Sequence, residues 1–442
     1  MIAAPVRTGI PRLLPSDGRS HAALDTHLTS FGPVPYLDQP GRLIQVVRDA
    51  GLTGRGGAAF PVHRKLEAVA AARTGRPVAV ANAAEGEPAS RKDATLLLTA
   101  PHLVLDGLQL TAEAVGATRA VLYIRDDLRA STRLEIHVSE RFARGLDRIA
   151  VEVVSAPIQF LAGQETALAS AVSGAAALPR FTPPRVFERG VDRRPTLVQN
   201  VETLAHVALI ARYGSAWFRG AGLPDEPGTM LCTLHNASGP VMVAEAAIGT
   251  PLASLLDISQ ATAVLAGGYH GTWIPAAQAS AMALSNASLR PADASAGAGV
   301  LAALPANRCG LVETARVARY LAAESAGQCG PCRNGLPSIA AGLAGLAGLT
   351  GRRPRSSVAA DVSRWSRLVE GRGACHHPDG TVRLVRSALR VFADEVRQHQ
   401  QGRCSAPLGR PFLPTGAEPV TTGPVTTGPV ARTGTVTTTG RR

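Results

Sequence analysis

Three of the six cysteines in this chain are spaced to hold a metal centre. Cys329 and Cys332 form a Cys-x2-Cys pair inside Glu-Ser-Ala-Gly-Gln-Cys-Gly-Pro-Cys-Arg-Asn-Gly at 324–335, and Cys375 follows in Gly-Ala-Cys-His-His at 373–377. Thiolates at this spacing can aim their sulfurs at one iron–sulfur cluster. A zinc ion would need a fourth ligand, which His376 or His377 could supply. Three buried free thiols are the bland alternative. Near the start lies a second chemical feature, Gly54-Arg55-Gly56-Gly57-Ala58-Ala59-Phe60-Pro61. Glycines let backbone N–H groups close on a phosphate, and Arg55 and Lys65 are cations that can pair with its oxygens. A phosphate cradle together with a cluster site points to electron transfer between an organic cofactor and iron.

Polar groups at strand ends add to this. Asn82-Ala-Ala-Glu85-Gly-Glu87-Pro88 follows an apolar run and could bind a ribityl chain or a ribose, or be a solvated loop. Gly163-Gln-Glu165-Thr and Gln199-Asn200-Val-Glu-Thr203 offer polar contacts or helix caps.

Positioning these groups requires a scaffold. Pro77 to Asn82, Ala120 to Ile124 and Ile149 to Val154 read as buried strands, separated by helices at Asp93 to Val115 and up to Gly145. Alternation of this kind predicts a parallel sheet, with ligands beyond the strands' carboxyl ends. Residues 163–225 read as mainly helical, broken at Pro183 and Pro184. Strands at Met230 to Leu234, Val241 to Val243 and Ala263 to Leu265 mark a small α+β module. From about 308 to 400, Leu, Ala and Val recur at helical spacing, so the cysteines sit in a helical bundle. The divisions are a 1–40 irregular lead-in, a 41–227 α/β domain, a 228–305 α+β domain, a 306–402 helical domain and a 403–442 Thr/Gly/Pro tail expected to be disordered.

The chain has 442 residues and a formal net charge of +13, with 45% hydrophobic residues. The charge favours anionic cofactors, but no basic run with interleaved aromatics suggests nucleic acid. Six cysteines are too few for a disulfide scaffold, so a reducing compartment is expected. No signal peptide or apolar span is read from the sequence.

Taken in order, the motifs at 51–61, 82–88, 163–168, 195–204 and 324–335 resemble those of the NADH-binding flavoprotein subunit of respiratory complex I and its relatives in soluble hydrogenases and formate dehydrogenases. The resemblance spans about residues 45–400. It implies a Rossmann-like FMN domain, a ubiquitin-like (SLBB-type) module and a helical bundle holding a [4Fe–4S] cluster on Cys329, Cys332 and Cys375. It implies FMN contacts by Gly54, Arg55, Gly56, Gly57, Lys65, Asn82, Glu85, Gly163, Glu165, Asn200 and Thr203. Glu87 and Phe60 would face NAD(H), and Glu87 and Lys65 would serve at the reacting centre. The implied activity is NADH dehydrogenation through FMN into iron–sulfur, alongside a thioredoxin-like [2Fe–2S] subunit and other electron-transfer subunits. The expected location is the cytoplasm, or the inner face of a membrane through a complex.

Departures from those motifs are Ala59, Ala68, Ala84, Gln164, Thr182, Arg185, Gln199 and Ala326, the last in place of the first cluster cysteine. Three thiolates can hold a [3Fe–4S] cluster, or a [4Fe–4S] cluster with an outside ligand from Cys309, Cys404, His376 or water. Two alternatives follow from these changes: an electron-transfer subunit that no longer takes electrons from NADH, and a non-catalytic assembly subunit.

Overall fold

The computed structural model describes residues 12–14, 20–351, 354–404, 406 and 411–416. Four short apolar runs form the first sheet: β1 (Val78–Ala83), β2 (Arg119–Arg125), β3 (Val151–Ala156) and β4 (Thr196–Asn200). Their order is β3-β2-β1-β4, and every pairing is parallel. The chain steps from β1 outward to β3, then returns to place β4 on β1's other side. That reversal makes a switch point between β1 and β4, the place where ligands bind in open parallel sheets. Asn82 and Asn200 are register partners there.

β4 was not foreseen, because five residues between Pro195 and a helix cap look like a helix lead-in. The helix expected over Asp93 to Val115 is two, Lys92–Thr99 and Pro101–Val115. Pro101 has no N–H and crowds the residue before it, so Ala100 leaves helical geometry. The lead-in contains a helix, Leu24–Phe31. Its His27 meets buried Asp106, which also pairs with Arg141 at 2.7 Å and Arg212 at 2.5 Å. Helix Pro101–Val115 packs closely on helix Val201–Arg219, since a Cβ on Gly107 would fall 2.9 Å from Leu204 Cα.

A second sheet holds β5 (Thr229–His235), β6 (Met242–Ala247), β7 (Ala261–Ala266), β8 (Thr272–Pro275) and β9 (Val300–Pro305), in the order β6-β5-β9-β7-β8. The central β5–β9 pair is parallel and the other pairs are antiparallel. Period-two alternation splits its side chains. Val264 and Ala266 enter the module's own core, whereas Ala263 and Leu265 join Val317, Leu321 and Leu384 of the helices.

Those helices are Gly310–Ala323, Leu336–Leu346, Val358–Val369, His377–Val391 and Ala393–Gln400. Part of the expected disordered tail is packed instead: the Phe412 and Leu413 N–H groups donate to Glu313 at 3.2 Å. Residues 417–442, where most of the disorder was expected, lie outside the described residues. Among the described residues, no helix is long and apolar enough to cross a membrane.

Candidate functional site

Backbone, more than side chain, builds the walls at the switch point. A Cβ on Gly56 would sit 3.3 Å from Asn200 Cβ, so the glycine loop lies directly over the end of β4. A Cβ on Gly163 would collide with the Ala84 carbonyl oxygen, and one on Gly86 would fall 2.9 Å from the Phe160 carbonyl carbon. Loops 54–61, 82–88 and 159–165 therefore close around the same strand ends. Gly54 N–H donates to the Phe60 carbonyl at 2.9 Å and pinches the first loop. Gly57 has φ +109° and lies against Gly297 and Ala298 of the second sheet's module. Ala59 holds φ +50°, a conformation that costs an L-residue with a Cβ roughly 1–2 kcal/mol.

The side chains sort into three groups. Asn82 Nδ2 donates to the Gly163 carbonyl at 2.8 Å, joining two loops. Lys65 pairs with Glu165 and donates to the Val198 carbonyl at 3.1 Å, which holds its ammonium at the end of β4. Asn200 is fixed from beneath, with Asp93 Oδ2 at 2.7 Å and Lys92 Nζ at 3.2 Å. Lys92 is buried, 2.6 Å from Asp93 and 2.9 Å from Glu202. Lys92, Asp93 and Glu202 were missed in the sequence, where a Lys-Asp pair before a helix resembles any solvated helix start.

Two expected phosphate or flavin contacts are spoken for. The Arg55 guanidinium is buried and donates to the Thr229 carbonyl at 3.1 Å and to the Thr53 carbonyl at 3.0 Å. Only its backbone faces the loop, with its N–H on Thr203 Oγ1 at 2.9 Å. Glu85 is buried and caps helix Lys92–Thr99 through the N–H groups of Asp93 and Ala94, at 3.1 and 3.2 Å. The helix needs those acceptors, because its first N–H groups have no partners within it.

Glu87 faces the second sheet, accepting from Tyr269 N–H at 2.8 Å. Burial pushes its carboxyl up to about 7, against the downward pull of the Tyr269 and Ala89 N–H groups. Phe60 is 49% exposed beside the loop. Gln164 caps helix Glu165–Val172, accepting from the Thr166 and Ala167 N–H groups at 2.8 and 3.0 Å.

Cys329, Cys332 and Cys375 lie in neighbouring turns, near enough to perturb one another's thiols, although their three sulfurs are not gathered within 4.8 Å of one another. Pro331–Gly335 forms a π turn that carries Cys332, a geometry common at functional sites. Burial alone would raise the Cys329 thiol. The Ala374 and Cys332 N–H groups outweigh it, so the thiol is lowered. Cys332 is pushed up to about 11 by burial, then by Cys329 and Cys375. These mutual effects place the 329–332 turn against the 374–375 loop.

His377 is not a spare ligand. Its Nε2–H donates to the Leu321 carbonyl at 2.8 Å, so its Nδ1 accepts, 3.1 Å from His270 Nε2. His376 is fully exposed. Cys309 caps the start of helix Gly310–Ala323, whose 14 residues span about 21 Å at 1.5 Å per residue, while Cys329 lies beyond its other end. Cys309 and Cys404 instead lie with His399 in a separate group.

One residue joins the two centres. The carbonyl of Phe160 abuts Gly86, and its N–H donates to Glu324 of the cysteine motif at 2.7 Å. The Phe160 ring lies 5.5 Å from the His377 ring, two residues after Cys375.

Residues 47–209 match the Nuo51 FMN-binding domain, and residues 313–399 match the NADH-ubiquinone oxidoreductase-F iron-sulfur binding region. The F subunit of the NADH-quinone oxidoreductase of Streptomyces coelicolor (strain ATCC BAA-471 / A3(2) / M145) is 30% identical over 396 residues, covering 85% of this chain and 85% of that protein. Its counterpart in Mycobacterium tuberculosis (strain ATCC 25618 / H37Rv) is 31% identical over 400 residues, covering 85% and 87%. Among solved structures, an NAD+-reducing [NiFe]-hydrogenase in the air-oxidized state superposes with a TM-score of 0.77 at 27% identity, over 92% of this chain and 70% of that one.

Proposed function

Since the chain belongs to the family of NADH-quinone oxidoreductase F subunits, we propose that it oxidises NADH at an FMN seated between β1 and β4. Cys329, Cys332 and Cys375 would hold an iron–sulfur cluster that could accept the electrons. The observation that carries this is the Phe160 joint, which brings the wall of the cradle and the loop of the cluster onto one residue.

The residues present fit both groups. Gly56 and Gly57 leave the room and the N–H groups a phosphate needs, while the Gly54 N–H is taken by the Phe60 carbonyl and shapes the loop. Lys65, held by Glu165, supplies the cation. Asn82, Gly163, Asn200 and Thr203 line the strand ends. Three neighbouring thiols would suit iron, and Ala326 offers no fourth ligand, so they would hold a [4Fe–4S] cluster with an outside ligand, such as His376 or water, or a [3Fe–4S] cluster. Flavin, when bound, takes up two electrons together and releases them singly.

Gly163, Gly86 and the Phe160 loop set the floor against which a ring would rest. Glu87, titrating near neutrality, holds a proton beside that floor. His270 and His377 are both kept neutral by burial, so they add no charge beside the cluster loop.

Divisions at 41–227, 228–305 and 306–402 draw support from clusters that lie wholly or almost wholly within the second and third segments, while one cluster runs from the first segment into Leu231 and Val243 and another joins Ala89, Leu265 and Val317. The order β6-β5-β9-β7-β8, with its parallel centre, supports a ubiquitin-like middle module. A separate [2Fe–2S] subunit and a cytoplasmic place within a complex accord with the family.

A second reading, a flavin–iron relay with another electron donor, is favoured by Ala59. Its Cβ sits on a strained turn beside Phe60. Anaerobic protein reconstituted with FMN, iron and sulfide discriminates between the two. Bleaching of the flavin by NADH supports the first; bleaching by dithionite alone supports the second. Cys332→Ala is expected to abolish the cluster's EPR signal, and an unchanged signal removes the cysteines from the ligand set.

A further inference from the structure

We propose that Cys309, His399 and Cys404, completed by Glu395, form a mononuclear zinc site at the far end of helix Gly310–Ala323 from the cluster cysteines. Cys309 Sγ lies 3.3 Å from His399 Nε2 and 2.9 Å from Glu395 Oε2. The ligand atoms of Cys309, His399 and Cys404 all lie within 4.8 Å of one another. Tetrahedral zinc with bonds of about 2.3 Å to sulfur and 2.0–2.1 Å to nitrogen sets its ligands about 3.6–3.8 Å apart. Those three atoms are therefore within about an ångström of closing on an ion, with the Glu395 carboxylate, which also accepts from Leu311 N–H at 3.0 Å, beside Cys309.

The fold presents these atoms from three places. Glu395 and His399 stand one turn apart on helix Ala393–Gln400 and share a face. Gly402, at φ +78°, reverses the chain so that Cys404 comes back to that face. Cys309 approaches from the start of helix Gly310–Ala323. Its surroundings are apolar, in one cluster with Leu346, Ala347, Val396 and Ala406. Two thiolates and an imidazole choose zinc over magnesium or calcium. Cys404 is exposed and gives the ion a way in.

Binding releases the two thiol protons to solvent and leaves the carboxylate to complete the charge. What such an ion would hold near is shown by residues 412–414. After Cys404 the chain runs to Phe412 and Leu413 on Glu313, and the Pro414 carbonyl accepts from Tyr269. Zinc would fasten the root of a strap that ties the helical bundle to the second sheet.

The test uses the full chain, reduced, mixed with Zn2+ and desalted. Zinc and iron are counted by elemental mass spectrometry, and Co2+ serves as the optical probe. One zinc per chain is expected for the wild type, with tetrahedral thiolate–cobalt absorption. Cys404→Ser, His399→Gln and Glu395→Gln are each expected to weaken Co2+ binding by about tenfold or more, with iron and flavin content unchanged. Cys404 is exposed, so its serine variant tests the site without disturbing the core. Wild-type protein that loses all zinc on desalting overturns the proposal. Wild-type cobalt affinity in Cys404→Ser does so too, and an unchanged Glu395→Gln removes the carboxylate from the set.

Discussion

Gly86→Ala should act as a wedge between the two walls of the flavin cradle. Gly86 stands between Glu85 and Glu87, and its Cα hydrogen faces the peptide of Phe160. An added Cβ would lie 2.9 Å from the Phe160 carbonyl carbon, 3.1 Å from the Gln159 oxygen, and closer still to the Phe160 oxygen. Favourable contacts between such atoms begin near 3.5 Å, so one loop must withdraw by the better part of an ångström. Neither gives easily. Asn82 ties the first loop to Gly163, and Glu324 pins the second. Forcing an extra methyl into a packed site costs about 1–3 kcal/mol. If the cradle opens to relieve the strain, flavin binding must close it again, and the cost appears as a 5- to 150-fold weaker affinity, roughly tenfold for each 1.4 kcal/mol. The assay is titration of apo-protein with FMN by fluorescence quenching, with thermal unfolding measured in parallel. Iron content and the EPR signal report whether the bundle is intact. If both flavin affinity and thermal midpoint match the wild type, the close approach of the two loops is not real and the reasoning fails.

Removing the carboxylate in Asp106→Asn should cost about 3–5 kcal/mol at neutral pH, the usual penalty for leaving buried charges unpaired, measured by urea unfolding. Burial would raise this carboxyl, but His27, Arg141 and Arg212 hold it well below its ordinary value. Its contribution is therefore complete above the unfolded value near 3.9 and drains away as pH falls further, so the gap between variant and wild type should narrow in acid. Glu87 has the opposite sign. Its carboxyl, raised to about 7, keeps a proton that the unfolded chain has already lost, so stability should decline as pH rises from about 4.3 towards 7. Glu87→Gln should flatten that slope in a series of thermal midpoints; an unchanged slope assigns it elsewhere. Lys92→Met leaves Asp93 and Glu202 buried without their cation, and should both destabilise by about 3–5 kcal/mol and loosen Asn200, read as flavin lost on gel filtration.

What was legible in the sequence follows the length and monotony of each signal. β1 and β2 are unbroken apolar runs bounded by polar residues, and they stand within a residue or two of where they were expected. β4, β8 and β9 were not legible. β4 and β8 are short, and β9, though as long as β1, is placed by its neighbours, filling the gap between β5 and β7. The site was legible wherever a motif names backbone. Gly56, Gly163 and Asn200 meet at the switch point because parallel strands end there. Side-chain roles were less legible, since a charged residue in a string does not reveal its partner. Arg55 looked like a phosphate ligand and serves instead as a buried strut to Thr229. Glu85 looked like a ribityl contact and caps a helix. The Cys309 group was invisible because its members lie 90 and 95 positions apart along the chain and meet only after the bundle folds.

The positions at which this chain departs from the motifs it resembles obey the same distinction. Gly56, Gly86 and Gly163 are kept, and each stands where a Cβ would press on or collide with a neighbouring segment. No rearrangement of side chains could accommodate a substitution there. Several of the changes fall instead on positions with room to adapt, although Ala84 and Gln199 are buried. Gln164 still caps its helix with an uncharged oxygen. Arg185 is exposed, and Ala326 sits half-buried at the approach to Cys329. Ala59 takes up a left-handed backbone that glycine would adopt without strain. That strain lies on the rim beside Phe60, whereas Asn200 and Lys65 stand on the strand ends. The physical consequence is an asymmetry. On the proposed reading, the flavin's seat keeps its close backbone approaches at Gly86 and Gly163, although Ala84, Gln164 and Gln199 have changed beside them, while the donor's approach has lost side chains. On that reading, reactivity with NADH should be weakened more than affinity for FMN.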